Sequence, residues 1–310
     1  TTPAITVVVQ RNVQGSFIKM LGASVTTVKA RATAGIVGGV SSSCVYSLDP
    51  SGSGAFSATN GATLSMGCGV EVKSSSGSGG NVQGGATVTA PEINGRFKVS
   101  NGGSISPAAS GVASTISDPY AAIPAPAVAS SCDAAHTNYS KGYGSWTLTP
   151  GTYCGGISFS NSANVTINPG MYVIKGGSLN IGYSTINGTG VTFYLTGTNS
   201  SYGSVNIGNG ATVAMSAPSS GIYTGLLFFQ DRAITSSVAA TINGGVALKV
   251  TGGFYFPTTS VAFSNGSSSN GYAIAVVAKK VSFTGGTNYF TKDVTGLLTG
   301  LGSKSVGLMQ

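Results

Sequence analysis

Apolar residues along this chain fall in short runs, each closed by Asn-Gly, Gly-Gly or Ser-Gly, and three stretches repeat one pattern. TLTPGTYCGGISF (147–159), TINPGMYVIKGGSLNI (166–181) and INGTGVTFYLTG (186–197) each read as strand, Pro-Gly or Thr-Gly turn, then aromatic strand. Tyr153, Tyr172 and Phe193 lie 19 and 21 residues apart. A near-fixed period of this length is the mark of stacked supersecondary units, and here it predicts an all-β solenoid of short strands. Glycines in the turns accept the positive φ that tight connections need.

The same reading divides the chain. Residues 1–40 begin with AITVVV and continue through NVQGSFIKMLG, where Val13, Phe17, Ile18 and Leu21 recur at near-helical spacing. SVTTVKARATAGIVGGV then alternates as a strand does, so an N-terminal strand–helix–strand appendage is expected. Residues 41–105 read as the first solenoid coils, and 106–146 as a Pro- and Ala-rich external loop laid over the stack. Coils resume over 147–294, before a tail at 295–310. The most apolar strands are LLFFQDR, GGFYFP and YAIAVVAKKVSF, which place Phe228, Phe254 and Val276 in the core. In the loop, Tyr120, Ile123 and Val128 are expected to pack on the outer wall or cap one end.

Only 7% of the 310 residues are charged, while 48 are glycine and 41% are hydrophobic. This profile excludes a disordered chain and argues against an ordinary cytosolic α/β enzyme. The net charge of +8 arises because acids are scarce. The basic residues are scattered singly, apart from Lys279–Lys280, so no specific nucleic-acid site is expected, and acidic glycans are the candidate partner for diffuse positive charge. No apolar stretch is long enough for a transmembrane helix. The sequence opens at Thr1 without Met, which reads as a mature or truncated product whose export segment has been removed.

Four cysteines form two local pairs, Cys44 with Cys68 and Cys132 with Cys154, at intervals of 24 and 22 residues. Residues one coil apart occupy strands about 4.8 Å apart, close to what a disulfide spans. Two local disulfides are expected among three possible connectivities, each contributing on the order of 3 to 3.5 kcal/mol, in an oxidising compartment. A cysteine metal site lacks its usual spacings, and His136 is the sole histidine. No metal or other cofactor is expected.

Three chemistries compete for the polar residues. Asp49, Glu71 and Glu92 recur at intervals of 22 and 21, so stacking would gather them as glycosidase or lyase carboxylates do; the preferred reading leaves them on exposed turns or strand faces. Asp231–Arg232 reads as a local ion pair or turn cap, and His136 as an exposed loop residue. Tyr139, Tyr143, Tyr183 and Tyr202 are candidates to stack on sugars in an adhesin or glycan-binding module. The preferred function is a non-enzymatic structural protein that self-associates head to tail into a fibre or layer, because solenoid ends leave open strand edges. Ile5, Val7, Val9, Val306 and Leu308, in the apolar ends of the chain, are the candidates to bridge copies by strand exchange.

Several segments together resemble the carboxy-terminal part of TadG-like proteins of bacterial tight-adherence (Flp pilus) systems. They are VVVQRNVQGSFIKMLGASVTTVKARATA, LDPSGSGAFSATNGATLSMGCGVEVKSSS, DPYAAIPAP, LTPGTYCGGISFSNSANVTINPGMYVIKGGSLNI, and GVTFYLTG with GLLFFQDR. The resemblance implies a right-handed parallel β-helix, an exported protein of the bacterial cell surface, and a role around adhesion or pilus biogenesis. It carries no catalytic residues. The membrane helix expected upstream in that family is not in this sequence, which favours a released, exported product.

Overall fold

The computed structural model describes residues 4–13, 26–37, 43–132, 134–208, 210–243, 247–264, 274–286, 288–291 and 305–309. Apart from one 3-10 turn at Ala134–His136, the regular elements among them are β-strands. The chain divides into two compact units, residues 1–40 with 302–310, and residues 41–301.

The smaller unit is an antiparallel sheet of three strands. Ala4–Val13 pairs with one side of Thr26–Val37, setting Ile5 opposite Ala34, Val7 opposite Ala32 and Val9 opposite Ala30. Ser305–Met309 pairs with the other side, with Leu308 opposite Ala34 and Val306 opposite Ile36. Of the helix expected over 12–22, Asn12 and Val13 continue the first strand, and 14–25 lie outside the described residues. What the described terminal segments build is an antiparallel sheet in which Ser305–Met309 joins the two N-terminal strands.

In the larger unit parallel strands form ladders around one continuous apolar interior. The first ladder runs from residues 151–154 through Gly170–Lys175, Val191–Thr196, Leu226–Gln230 and residues 253–255 to residues 274–278. It then continues into Ser43–Ser47, Gly69–Val72 and Ile93–Asn94, which come from the start of the unit. The second ladder behaves alike: it starts at Thr137–Lys141, passes Val281 opposite Phe56, and ends at Phe97–Val99. A third begins at Gly144–Leu148, and a four-stranded parallel sheet ending at Ser104–Ser106 lies outside the main sheet.

This order corrects the expected open right-handed β-helix. The chain does not wind tier upon tier from its first coil to its last. Its C-terminal strands dock onto its N-terminal ones, with Val276 opposite Val45, and the parallel sheets close around the shared core with further strands outside them. Coils 41–105 and 147–294 are thus not consecutive in space across the loop that joins them. The physical reason is that an apolar strand edge specifies only that it needs a neighbour; any strand with matching pleat and burial satisfies it.

The connecting segment from Pro107 to Cys132 has to travel from one end of the ladders to the other, and it does so along the outer face of the first ladder. Ser110 N–H bonds Ile93 O, and Ser114 N–H bonds Val72 O at 2.9 Å. Further along, Asp118 accepts a hydrogen bond from Tyr255, Tyr120 and Ile123 carbonyls accept from Arg232, and Ala129 and Ser130 carbonyls accept from Lys175. We call this segment the strap. It explains why first-ladder strands such as VTFYLT, LLFFQ and SCVYS are buried at every position, whereas ANVTI in the third ladder alternates buried and exposed.

Inside, a file of aromatic rings links the two ends. His136 packs on Tyr153 at 4.5 Å between centroids, and the file continues through Tyr172, Phe193, Phe228 and Phe254. It crosses to the second ladder at Phe263 and proceeds through Phe283 and Phe56 to Phe97. Burying each such side chain contributes about 1.5 to 3 kcal/mol, and tilted or offset ring pairs add about 0.5 to 1.5. Phe228, Phe254 and Val276 all lie in this core.

Candidate functional site

The cysteines pair as the spacing indicates: Cys44 with Cys68, Cα atoms 5.6 Å apart, and Cys132 with Cys154, 5.9 Å apart. The second bond anchors the end of the strap to the first ladder. Two disulfides fit an oxidising environment outside the cytoplasm. No helix among the described residues is long and apolar enough to cross a membrane, and no group of three or more His, Cys, Asp or Glu gathers among them.

Of the three periodic acids, stacking brings two together. Glu71 is buried and Glu92 half-buried, and Ser43 Oγ donates to Glu71 Oε1 at 3.0 Å and to Glu92 Oε1 at 3.4 Å. Asn94 Nδ2 donates to Glu71 Oε1 at 3.0 Å, and the strap's Ser114 hydroxyl to Oε2 at 2.5 Å. A cleft of about 360 Å³ beside them is lined by Glu71, Asn94 and strap residues 112–116. Glu71 is therefore a buried acceptor that fixes the strap, and not the exposed face residue the sequence suggested.

Asp49 sits apart, bonded by the N–H groups of Ser51 and Gly52, with Lys280 Nζ 3.7 Å from its carboxylate. Burial alone would raise its pKa; those two N–H bonds, with Lys280 and Lys279, outweigh it and hold the carboxyl below the ordinary 3.8. It too is buried rather than exposed.

Asp231 and Arg232 serve different partners instead of each other. Asp231 accepts from Thr196 Oγ1 at 2.6 Å and from Ala233 N–H at 2.9 Å, which is the turn-capping role. Arg232 Nε donates to Tyr255 Oη at 2.8 Å, while its terminal nitrogens donate to Ile123 O and Tyr120 O. Its guanidinium also lies over the Phe229 and Tyr255 rings, 5.2 and 5.0 Å from their centroids. Tyr255 Oη in turn donates to Asp118 Oδ2 at 2.8 Å. This Arg232–Tyr255–Asp118 chain is the central clasp of the strap. Burial, then the Asp118 charge, pushes the Tyr255 phenol far above its usual range; burial, with Tyr46 and Asp118, does so for Tyr120. Sequence reasoning missed the clasp because Asp118 and Tyr120 are remote in number from Arg232 and Tyr255. The signal available was the two-sided apolar run LLFF, which has to be covered by something.

The proposed sugar-stacking tyrosines separate. Tyr202 is buried and donates to Ser204, and Tyr139 is half-buried edge-on against Tyr153. Tyr143 and Tyr183 are exposed, at 85% and 66%. Within the strap, Tyr120 and Ile123 are buried, while Val128 is exposed. His136 lies against Tyr153.

Among the described residues, the pairings of the second ladder end at two strands: Phe97–Val99, paired with Gly80–Val82, and Thr137–Lys141, paired with 154–159. Lys98 and Val99 are exposed at the first end. At the second, Lys141 Nζ lies over both Trp146, 4.4 Å, and Tyr139, 5.2 Å. Following the register strand by strand places Phe97 in one row with Tyr139, Lys98 with Ser140, and Val99 with Lys141. Ile5, Val7, Val9, Val306 and Leu308 lie in the antiparallel sheet of the smaller unit, in the two strands that flank its central one, and Val9 is exposed.

No family model, curated protein or solved structure matches this chain.

Proposed function

We propose that this chain is a non-enzymatic extracellular structural protein of the bacterial surface that self-associates head to tail, in the orbit of adhesion or tight-adherence pilus systems. One observation supports the reading: Phe97–Val99 and residues 139–141, where the described pairings of the second ladder end, are parallel strands that share one row pattern. A second copy stacked on the first adds residues 139–141 beside Phe97–Val99 and continues the ladder without a change of direction. A heterologous contact of this kind propagates unless rotation closes it. This contact lies at the ladder ends; Ile5, Val7, Val9, Val306 and Leu308 belong to the two outer strands of the antiparallel sheet in the smaller unit.

The charges at the junction have one sign. Arg96 and Lys98 are exposed at one end and Lys141 is half-exposed at the other, so screening their repulsion with salt favours assembly. The lyase or hydrolase alternative draws on the convergence of Glu71 and Glu92 on Ser43. Against it, Glu71 is buried and already accepts from Ser43, Asn94 and Ser114.

Negative-stain electron microscopy across protein and salt concentration is the test. Filaments that lengthen with salt and are abolished by Val99→Lys, which sets a second cation in the Lys141 row, are the expected result. Monomers under every condition overturn the proposal.

A further inference from the structure

The outer row of the second ladder carries hydrogen-bonding side chains at successive strands: Ser158, Asn180, Asn206 and Thr241 stand opposite one another in register. They are chained laterally. Asn206 Nδ2 donates to Asn180 Oδ1 at 2.8 Å, and Thr241 Oγ1 donates to Asn206 Oδ1 at 2.9 Å. A primary amide has two N–H donors and a carbonyl with two lone pairs, so these bonds leave each amide further capacity while fixing its plane. The row forms one wall of a groove of about 430 Å³, whose far lip is formed by Asn161 and Tyr183. None of its lining residues carries a carboxylate, ammonium or guanidinium.

Tyr183 is the unusual member. It is 66% exposed, and its backbone lies at φ 43°, in the left-handed region that a bulky side chain rarely occupies. The conformation is held from both sides. Its carbonyl accepts from Ser162 N–H at 2.6 Å, and its ring lies over Gly210, where an added methyl would meet the ring at 3.4 Å. A strained backbone that keeps a large aromatic ring out of the core, at the lip of a polar groove, is the kind of outlier that marks a binding surface. Asn161 and Ser162, beside it, are also left-handed, at φ 51° and 63°.

The geometry points to a binding site for a neutral glycan chain, running across the strands with a sugar face on Tyr183 and hydroxyls on the Asn180–Asn206–Thr241 row. An uncharged, amide-lined groove beside an exposed aromatic suits a ligand with an apolar ring face and many hydroxyls. Repetition at one strand spacing, about 4.8 Å, suits a polymer whose units repeat on a similar scale. A second groove, lined by Asn138, Ser178 and again Ser158 and Asn180, extends the row toward the Thr137–Lys141 end. The site is independent of the ladder-end contacts, so monomeric and assembled protein both present it.

The test is affinity electrophoresis and pull-down of the full chain with insoluble cellulose, soluble mixed-linkage β-glucan and starch, with heparin as the acidic control. Retention by at least one neutral polysaccharide is expected, unchanged by moderate salt, roughly tenfold weaker in Tyr183→Ala and restored in Tyr183→Trp. Asn206→Ala is expected to weaken it with an unchanged melting temperature. Retention by none of the neutral polysaccharides overturns the proposal. So does binding that survives Tyr183→Ala, or binding to heparin alone that salt abolishes.

Discussion

The first ladder and the second are built from the same kind of strand in the same body, yet one lies under the strap and the other leaves its outer row open. Under the strap, Tyr194, Phe229 and Tyr255 form an outer row that is as buried as the inner one. On the open ladder the corresponding row is Ser158, Asn180, Asn206 and Thr241. Cover, more than strand propensity, therefore decides which sequence a ladder can carry. The covered ladder gains apolar burial and loses the capacity to meet a ligand; the open ladder keeps that capacity.

Breaking the shared interior gives the largest expected effect. Phe228→Ala removes a fully buried ring from the middle of the aromatic file, and about 4 kcal/mol of unfolding free energy is expected to be lost in denaturant titration. Next comes the anchor of the strap. Cys132→Ser with Cys154→Ser opens a loop of 22-residue separation, for an expected loss of about 3 kcal/mol and faster proteolytic cleavage within 107–132. Arg232→Ala, which unfastens the clasp, is expected to cost about 2 to 3 kcal/mol, and to be strongly non-additive with Asp118→Ala if the two act through Tyr255 as one unit.

Alkali tests the cover without mutation. Tyr120, Tyr194 and Tyr255 have phenols raised above 10.0, first of all by burial. A raised folded-state pKa stabilises fully below pH 10 and loses that contribution above it, because the unfolded chain then releases protons that the folded one retains. Cooperative unfolding above about pH 10, coincident with tyrosinate absorbance, is the expected outcome; tyrosines titrating separately at their ordinary value contradict the cover. The smallest effect belongs to the open row: Asn180→Ala is expected to shift stability by no more than about 0.5 kcal/mol, and a larger loss would mean that this row, too, is structural.

Much of the local structure was legible. The repeated aromatics do become neighbours, with Tyr172 opposite Phe193 and Tyr153 stacked on Tyr172. Both cysteine pairs were readable from their spacing, although Cys132 lies at the end of the strap and not on a neighbouring strand. Burial of Tyr120 and Ile123 was readable as apolar content in an otherwise polar loop. The order of strands was not, since Val45 and Val276 carry no mark of each other: parallel pairing uses backbone groups that every residue has. The antiparallel sheet escaped notice because alternation in 24–40 names a strand but not its two partners. Glu71 was misplaced for a related reason. Its partners Ser43, Asn94 and Ser114 come from two neighbouring strands and the strap, so nothing near it in sequence advertised a buried carboxylate.

The docking of late strands onto early ones also governs when this body can form. Leu48 N–H bonds Ala278 O at 2.8 Å and Asp49 N–H bonds Lys279 O at 3.0 Å, each about 230 positions away. A polypeptide leaving a ribosome or an export channel N-terminus first therefore carries its opening strands with one edge unsatisfied until almost the whole body has followed. Such long-range closure is slow to complete. The body therefore locks only once its far end has been made, with Val276 set beside Val45.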